Sequence, residues 1–239
     1  MKGSVKRSGS SFKGDRTEHL KLATENWLIC FAVKEETAFF RPPDDACQVM
    51  LTGMGQKNAE RSLRQAITEN RPDLVITSGC AGGLDPKLKL GDVVYDLDAE
   101  LGFQSVLEQQ GAIPARFHCY PRVAATAEEK RKLRAETGAD VVEMESGVIR
   151  RICREEGISS ATVRVILDAA EDELPLDFNE LIDADQNLSY AKLAGKIAGR
   201  PTLIPRLLRF QSQTKEVARK LAVVLTELRR TNRAPEPRE

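Results

Sequence analysis

The feature that most constrains the fold is the stretch from Gly138 to Ala170, in which two short apolar segments flank a helix-like segment. Residues 139–142 and 161–167 have the apolar composition of buried strands. Between them, apolar residues recur on one helical face, at Val148, Ile149, Ile152 and Cys153. A strand, a helix and a second strand in this order indicate an α/β fold.

Carboxylates follow both of these predicted strands. Glu143 and Glu145 come after the first strand, and Asp168 comes after the second. Because open α/β sheets bind ligands at the carboxyl ends of their strands, these acids can face one pocket. Such acids suit a reaction that builds positive charge on a sugar carbon while the leaving group takes a proton.

Composition limits the class of protein. A chain of 239 residues can form one large α/β domain. We predict this domain over residues 25–231, between a flexible polar tail at 1–24 and a second polar tail at 232–239. Apolar residues make up 41% and charged residues 30%, which is ordinary for a soluble globular protein. Basic and acidic residues both number 36, so the net charge gives no argument for nucleic acid or a membrane surface as a partner.

Cysteine and histidine usage points to a reduced, metal-free protein. The five cysteines are an odd number and form no C-x-x-C pair, so we predict reduced thiols. The two histidines, His19 and His118, are far apart in the sequence, and no metal site is predicted. No run reaches the roughly 18 apolar residues of a membrane span, and residues 1–24 lack the apolar segment of a secretory signal. We therefore expect a cytoplasmic protein without a membrane span.

The first half of the chain contains three further predicted strands, over residues 27–33, 47–52 and 74–78. The first ends in the acids Glu35 and Glu36. The second is followed by a glycine turn at Gly55 and a helix over 56–70, which brings backbone N–H groups toward a ligand. This turn is a poor dinucleotide fingerprint because Asn58 stands where the third glycine belongs, which argues against a Rossmann-type oxidoreductase.

A glycine-rich stretch follows the third of these strands. Gly79, Gly82 and Gly83 lie within five residues. Glycines at this density indicate either a sharp turn or a group that approaches the backbone closely. The sequence leaves both alternatives open. A fourth strand is predicted over Val93–Leu97.

Four segments, taken together and in order, resemble the nucleoside phosphorylase and nucleosidase superfamily. They are Glu35-Glu36, TSGCAGGLDPKLKLGDVV at 77–94, VVEMES at 141–146 and VRVILDAAE at 163–171. The resemblance covers about residues 27–171, and the later half is most similar to the hopanoid-associated phosphorylase branch. It implies a three-layer α/β sandwich with a mostly parallel, mixed central sheet. It also implies a homo-oligomeric enzyme that cleaves the N-glycosidic bond of a purine nucleoside without a cofactor.

The resemblance implies a role for each acid. Glu36 would activate the attacking water, Glu145 would bind the ribose 2′ and 3′ hydroxyls, and Asp168 would pass a proton toward the purine N7. The other positions expected to contact substrate are Glu143, Met144, Cys80, Ala81, Gly82 and Gly55. From the residues alone, Glu145 could instead cap the following helix and Asp168 could be a turn residue.

Two departures from the family pattern bear on the mechanism. Leu167 replaces the serine that precedes the family's aspartate. Thr77 and Cys80 stand where hexameric phosphorylases place an arginine and a serine around phosphate, which leaves Arg41 as a substitute. Because bidentate contacts to phosphate normally come from arginine, water is favoured as the nucleophile. Phosphorolysis, with phosphate as co-substrate, is the alternative, and a non-catalytic nucleoside-binding protein is a second one.

Three helices are predicted after residue 185, over 186–198, 202–210 and 213–230. The middle one is unusually dense in apolar residues, namely Leu203, Ile204, Leu207, Leu208 and Phe210. We expect this run to pack on the core or on a partner subunit. The alternative is that it forms a wall for a large apolar 5′ substituent of the nucleoside.

Overall fold

The computed structural model describes residues 26–181 and 189–232. The predicted tail at 1–24, the start of the predicted helix at 186–198 and residues 233–239 lie outside this range. The strands are β1 (Trp27–Phe31), β2 (Cys47–Leu51), β3 (Leu74–Gly83), β4 (Val93–Leu97), β5 (Ile113–Pro114), β6 (Phe117–Cys119), β7 (Val141–Glu143) and β8 (Ser159–Asp168). The helices are α1 (Gly55–Glu69), α2 (Gln104–Gln109), α3 (Ala127–Thr137), α4 (Ser146–Glu156), α5 (Tyr190–Gly199) and α6 (Leu203–Asn232).

The strands form one mixed sheet in the order β2-β1-β3-β8-β4-β5. In addition, β7 pairs with β3, and β6 pairs with β7. Neighbouring strands run parallel except at two places, where β4 is antiparallel to β8 and β7 is antiparallel to β3. The prediction of a mostly parallel, mixed sheet is therefore confirmed.

Helices cover both faces of this sheet. On one face, Leu63 of α1 and Ile152 of α4 pack against Val75 of β3. On the other face, Leu221 and Leu225 of α6 pack against the residues of β1 and β3 that point to that face. All five residues of β1 are buried, because a central strand that is covered on both sides has no solvent-facing position. The predicted three-layer sandwich is confirmed.

The glycine-rich stretch after residue 78 is not a turn. It continues β3 to Gly83, with an irregularity in its register against β8 between Ala81 and Gly82. The alternative of a close approach to the backbone is the correct one, since a Cβ built on Gly79 would lie 2.5 Å from Oε1 of Glu36. Glycine is required here because a side chain would displace that carboxylate.

The C-terminal helices also differ from the prediction. The segments 202–210 and 213–230 form one continuous helix, α6. Gln211 and Ser212, which lie between the two predicted helices, are exposed residues of this helix. In the described ranges, no helix combines the length and the apolar composition that crossing a membrane requires.

Candidate active site

The predicted site residues meet at one edge of the sheet. The strands β1, β3 and β8 are parallel neighbours, so their carboxyl ends reach the same edge. Glu36 follows β1, and Asp168 is the last residue of β8. The antiparallel pairing of Gly82 with Val142 brings β7, and the turn after it, to the same place.

Glu36 is held against the backbone of β3. Its Oε1 accepts the N–H of Cys80 at 2.7 Å, and its Oε2 accepts the N–H groups of Ala32 and Val33 at 3.0 and 3.3 Å. The side chain is buried. Burial raises the pKa of Glu36, although Arg164 and these N–H groups oppose that rise. A buried carboxylate with a raised pKa is a better proton acceptor than an exposed one.

Glu143 and Glu145 lie on the turn from β7 into α4, and their side chains have different partners. Oε2 of Glu143 accepts the backbone N–H groups of Glu145 and Ser146 at 2.9 and 2.7 Å, and its Oε1 accepts the hydroxyl of Ser146 at 2.6 Å. Glu143 therefore satisfies the first N–H groups of α4. Glu145 stands at the N-cap position, but its side chain makes no cap hydrogen bond. The alternative that Glu145 caps this helix is wrong.

The Glu145 carboxylate instead connects two distant parts of the chain. Its Oε1 accepts the N–H of Gly55 at 2.8 Å, at the start of α1. Its Oε2 accepts from Arg164 at 3.3 Å. Burial raises the pKa of Glu145 to about 7, with Arg164 lowering it and Glu143 raising it further. The buried carboxyl therefore holds its proton more tightly than an exposed glutamate does.

Arg164 of β8 lies between these acids and is 1% exposed. One of its terminal nitrogens, Nη2, donates to Glu143 at 2.9 Å, to Glu145 at 3.3 Å and to the hydroxyl of Thr77 at 3.0 Å. The other, Nη1, donates to the carbonyl oxygen of Cys80 at 3.4 Å. Burial lowers the pKa of Arg164, but the carboxylates outweigh this effect and the net pKa is raised. The guanidinium thus stays charged and compensates the surrounding acids.

Asp168 lies on the other side of β3 from Glu36 and contacts a buried cation. Its Oδ2 forms an ion pair with Nζ of Lys130, which comes from α3. A Cβ on Gly82 would lie 3.2 Å from the same oxygen, so glycine at that position leaves room for the carboxylate. Burial raises the pKa of Asp168, while Lys130 lowers it. Asp168 is therefore part of a buried ion pair and not a solvent-exposed turn residue.

The remaining predicted positions surround this group. Gly55 and Cys80 contact the acids through their backbone N–H groups. Ala81 is buried, and Met144 is half-buried beside Glu145. Arg41, the suggested phosphate ligand, donates to the carbonyl oxygens of Ala38 and Phe40 in its own loop. The arginine that contacts the glycine-rich stretch is Arg164.

A cavity of about 270 Å³ opens beside Asp168. It lies between the end of β8, the loop at 172–175 and the first turns of α6. Its lining includes Asp168, Leu167, Arg206, Arg209 and Phe210. Within the described residues, no three His, Cys, Asp or Glu side chains are placed so that they could hold a metal ion.

Two residues of this site were not recognised from the sequence. Arg164 interrupts the apolar run of β8, and a charge inside a strand that is buried on both faces must have a partner, which is a usable signal. Lys130 lies among the charged residues of α3 and looks like one more solvated side chain, although it is fully buried. The sequence around Lys130 offers no comparable signal.

Comparisons with known proteins agree with this architecture. A sequence model of the Phosphorylase superfamily matches residues 43–100 and 102–196. The 5′-methylthioadenosine/S-adenosylhomocysteine nucleosidase of Actinobacillus succinogenes is 27% identical over 183 residues, which cover 63% of this chain and 80% of the relative.

Solved structures show the same fold at lower identity. The native futalosine hydrolase of Helicobacter pylori has a TM-score of 0.60 and 18% identity, and the match covers 87% of this chain and 98% of that one. A 5′-methylthioadenosine/S-adenosylhomocysteine nucleosidase of Neisseria meningitidis, in complex with methylthio-immucillin-A, has a TM-score of 0.61 and 17% identity over 87% and 99% of the two chains. From the sequence match over more than half of its length, the chain belongs to the Phosphorylase superfamily.

Proposed function

We propose that this protein hydrolyses the N-glycosidic bond of a purine nucleoside and releases the free base. Its relative from Actinobacillus succinogenes is named a nucleosidase, which supports this activity. The roles of the site residues are those that the family resemblance implies. The observation that carries the proposal is the group of three buried carboxylates, Glu36, Glu143 and Glu145, around the single guanidinium of Arg164.

Glu145 is assigned to the sugar. An ionised carboxylate has about four acceptor positions, and two of them are used by Gly55 and Arg164. The other two are available for the 2′ and 3′ hydroxyls of ribose. These hydrogen bonds strengthen as the sugar ring becomes oxocarbenium-like, so they lower the barrier as well as bind the substrate.

Glu36 is assigned as the general base. Its fixed carboxylate and raised pKa suit it to take a proton from an attacking water. The carboxylates of Glu36 and Glu145 also stabilise the positive charge that forms on the sugar, because both act in a buried environment of low dielectric constant.

Water fits this charge distribution better than phosphate. A phosphate anion would add negative charge next to three carboxylates. The guanidinium of Arg164, which could attract it, already donates to Glu143 and Glu145. A neutral water molecule carries no such penalty. Hydrolysis is therefore favoured over phosphorolysis.

Asp168 is assigned to the leaving group. It would hold the proton that passes to N7 as the base departs, which makes the purine a better leaving group. The cavity beside Asp168 would then receive part of the substrate. In this proposal the enzyme uses no cofactor, is a homo-oligomer and works in the cytoplasm.

Product analysis in phosphate-free buffer tests the proposal. We expect adenosine, or a 5′-substituted adenosine, to yield free adenine and the free sugar at the same rate with and without added phosphate. Glu36→Gln should lower kcat by about 100-fold to 10,000-fold. The exposed neighbour Glu35 provides the matched control, and Glu35→Gln should leave the rate unchanged.

Two outcomes would contradict the proposal. Strict dependence on phosphate, with ribose 1-phosphate as the product, would assign the chain as a phosphorylase. Tight nucleoside binding without turnover in either buffer would assign it as a binding protein.

A further inference from the structure

Lys130 is a charged residue that the proposed reaction does not yet use. It lies on α3 and its side chain is completely buried. A buried ammonium is costly unless it is paired and fully hydrogen-bonded. Other lysines of α3 lie at the surface, for example Lys132, whose side chain is 74% exposed. The burial of Lys130 therefore requires a specific explanation.

Three oxygen atoms surround the ammonium of Lys130, two as hydrogen-bond acceptors and one as the partner in an ion pair. A lysine ammonium has three N–H donors and no acceptor. Nζ donates to the carbonyl oxygens of Ala169 and Asp172 at 2.7 and 3.0 Å. Its third partner is Oδ2 of Asp168. All three partners belong to the end of β8 and the loop that follows it, so this one side chain fixes the segment that carries Asp168.

We propose that Lys130 is a positioning residue for Asp168 in nucleoside cleavage. This inference rests on the proposed function. The ion pair fixes Oδ2 of Asp168 and leaves Oδ1 as the oxygen that can meet the purine base. The lysine also supplies the positive charge that sets how readily this carboxyl takes up a proton.

Other charged groups near the pair have partners of their own or lie farther out. Oδ2 of Asp172 accepts the N–H of Ala169 at 2.9 Å. Glu129, the preceding residue on α3, pairs with Arg122. From α6, Arg206 and Arg209 line the cavity beside Asp168 and are exposed to solvent. Lys130 is thus the buried cation in direct contact with Asp168.

The proton balance shows why the charge on Asp168 matters. In one turnover, Glu36 gains a proton from the attacking water, and Asp168 loses one to N7 while the bond between the sugar carbon and the base breaks. Solvent then removes the proton from Glu36 and returns one to Asp168. Cleavage therefore requires Asp168 to be protonated, and kcat/KM should fall as the pH rises through its pKa.

The test compares Lys130→Met with Lys132→Met. Methionine preserves the length of the side chain and removes the charge. Without the cation, the pKa of Asp168 rises further, so the alkaline fall of kcat/KM should move up by at least one pH unit in Lys130→Met. At the pH optimum, kcat should also fall at least 10-fold because Oδ2 is no longer held. The Lys132→Met control should match the parent in both respects.

Two further variants separate a positioning role from a purely structural one. In an Asp168→Asn background, adding Lys130→Met should lower kcat by less than a further 3-fold, because the lysine acts through the aspartate. Lys130→Gln keeps N–H donors without the charge, and should move the alkaline fall as Lys130→Met does. An unmoved alkaline fall, or full additivity with Asp168→Asn, would overturn the proposal.

The ion pair can also be tested without turnover. In the unaltered protein, the buried ammonium should give a slowly exchanging NMR signal that shifts in Asp168→Asn. If that signal is present but no nucleoside is cleaved, the proposed function fails and the pairing stands. If the signal is absent or does not respond to Asp168→Asn, the positioning role is wrong whatever the protein cleaves.

Discussion

The carboxylate of Glu143 accepts the backbone N–H of Glu145 at 2.9 Å, so the first acid of the turn caps α4 and the second does not. This division of roles leaves the Glu145 carboxylate to face Gly55 and Arg164. The two glutamates are only two positions apart, yet one caps the helix and the other contacts Gly55 and Arg164.

The first prediction concerns Glu145. Replacing it with glutamine removes the charge that strengthens the bonds to the sugar, so Glu145→Gln should lose about 2 to 4 kcal/mol in kcat/KM on a ribonucleoside. The loss should shrink with a 2′-deoxynucleoside, which lacks one of the two hydroxyls. Steady-state kinetics on both substrates checks this, with the exposed Glu69→Gln as the control. An equal loss on both substrates would show that Glu145 does not bind the 2′ hydroxyl.

The second prediction concerns pH and stability. Burial raises the pKa of Glu145 to about 7 in the folded state, whereas an unfolded glutamate titrates near about 4.3. The folded state therefore binds this proton more tightly than the unfolded state does. The stability that the bound proton contributes is lost as the pH rises from the unfolded pKa to the folded pKa. We expect the free energy of unfolding to fall by about 1 to 3 kcal/mol between pH 4.3 and 7.

Urea denaturation at a series of pH values measures this effect. The decline should be smaller in Glu145→Gln, because glutamine does not titrate. Glu36 and Asp168 also have raised pKa values, so some decline remains in that variant. If the free energy of unfolding falls equally with pH in the parent and in Glu145→Gln, the pKa of Glu145 is not raised in the folded state.

The third prediction concerns Gly79. Its φ is +130°, and a Cβ there would lie 2.5 Å from Oε1 of Glu36. Gly79→Ala should therefore lower kcat at least 10-fold by displacing the general base. Gly111 also has a positive φ, of +74°, but a Cβ there meets nothing within 4 Å. In Gly111→Ala, backbone strain alone should lower the free energy of unfolding by about 1 to 3 kcal/mol. The kcat of the folded molecules should not change.

The fourth prediction concerns the 5′ substituent of the substrate. Phe210 lines the cavity beside Asp168 and packs on Phe178, with the ring centroids 5.4 Å apart. Leu208, from the same apolar run, is 60% exposed and is not part of that lining. If the cavity receives the 5′ group, kcat/KM should rise with 5′-alkyl length in the parent, by up to about 0.8 kcal/mol for each buried CH₂.

Two variants check this last prediction. Phe210→Ser should flatten the dependence on alkyl length, whereas Leu208→Ser should preserve it. A flat dependence in the parent would leave the apolar run as packing surface.

The sequence predicted the position of the site because strand ends can be located from local patterns. Glu36, Glu145 and Asp168 each come shortly after an apolar run, so they are located by the rule that ligands bind at the carboxyl ends of parallel strands. The sheet and its two helical layers follow from the same patterns. The family resemblance then assigned roles to the acids, and those roles stay predictions.

The partners of these acids could not be predicted in the same way. Lys130 meets Asp168 across 38 positions of sequence, and nothing in its local pattern distinguishes it from the exposed Lys132. Similarly, the continuation of β3 through its glycines depends on pairing with β8 and β7, which the local sequence does not contain. The missed features are those fixed by contacts between elements.

Trp27 is the sole tryptophan of the chain, and it begins β1, so it lies at the edge of the sheet opposite Glu36 and Asp168. It is 1% exposed and packs between Phe103 and the guanidinium of Arg229. Its fluorescence should therefore respond to unfolding and stay silent when a nucleoside binds. The emission of one native indole thus provides a built-in optical probe, by which damage to the fold can be separated from damage to the chemistry in every variant described above.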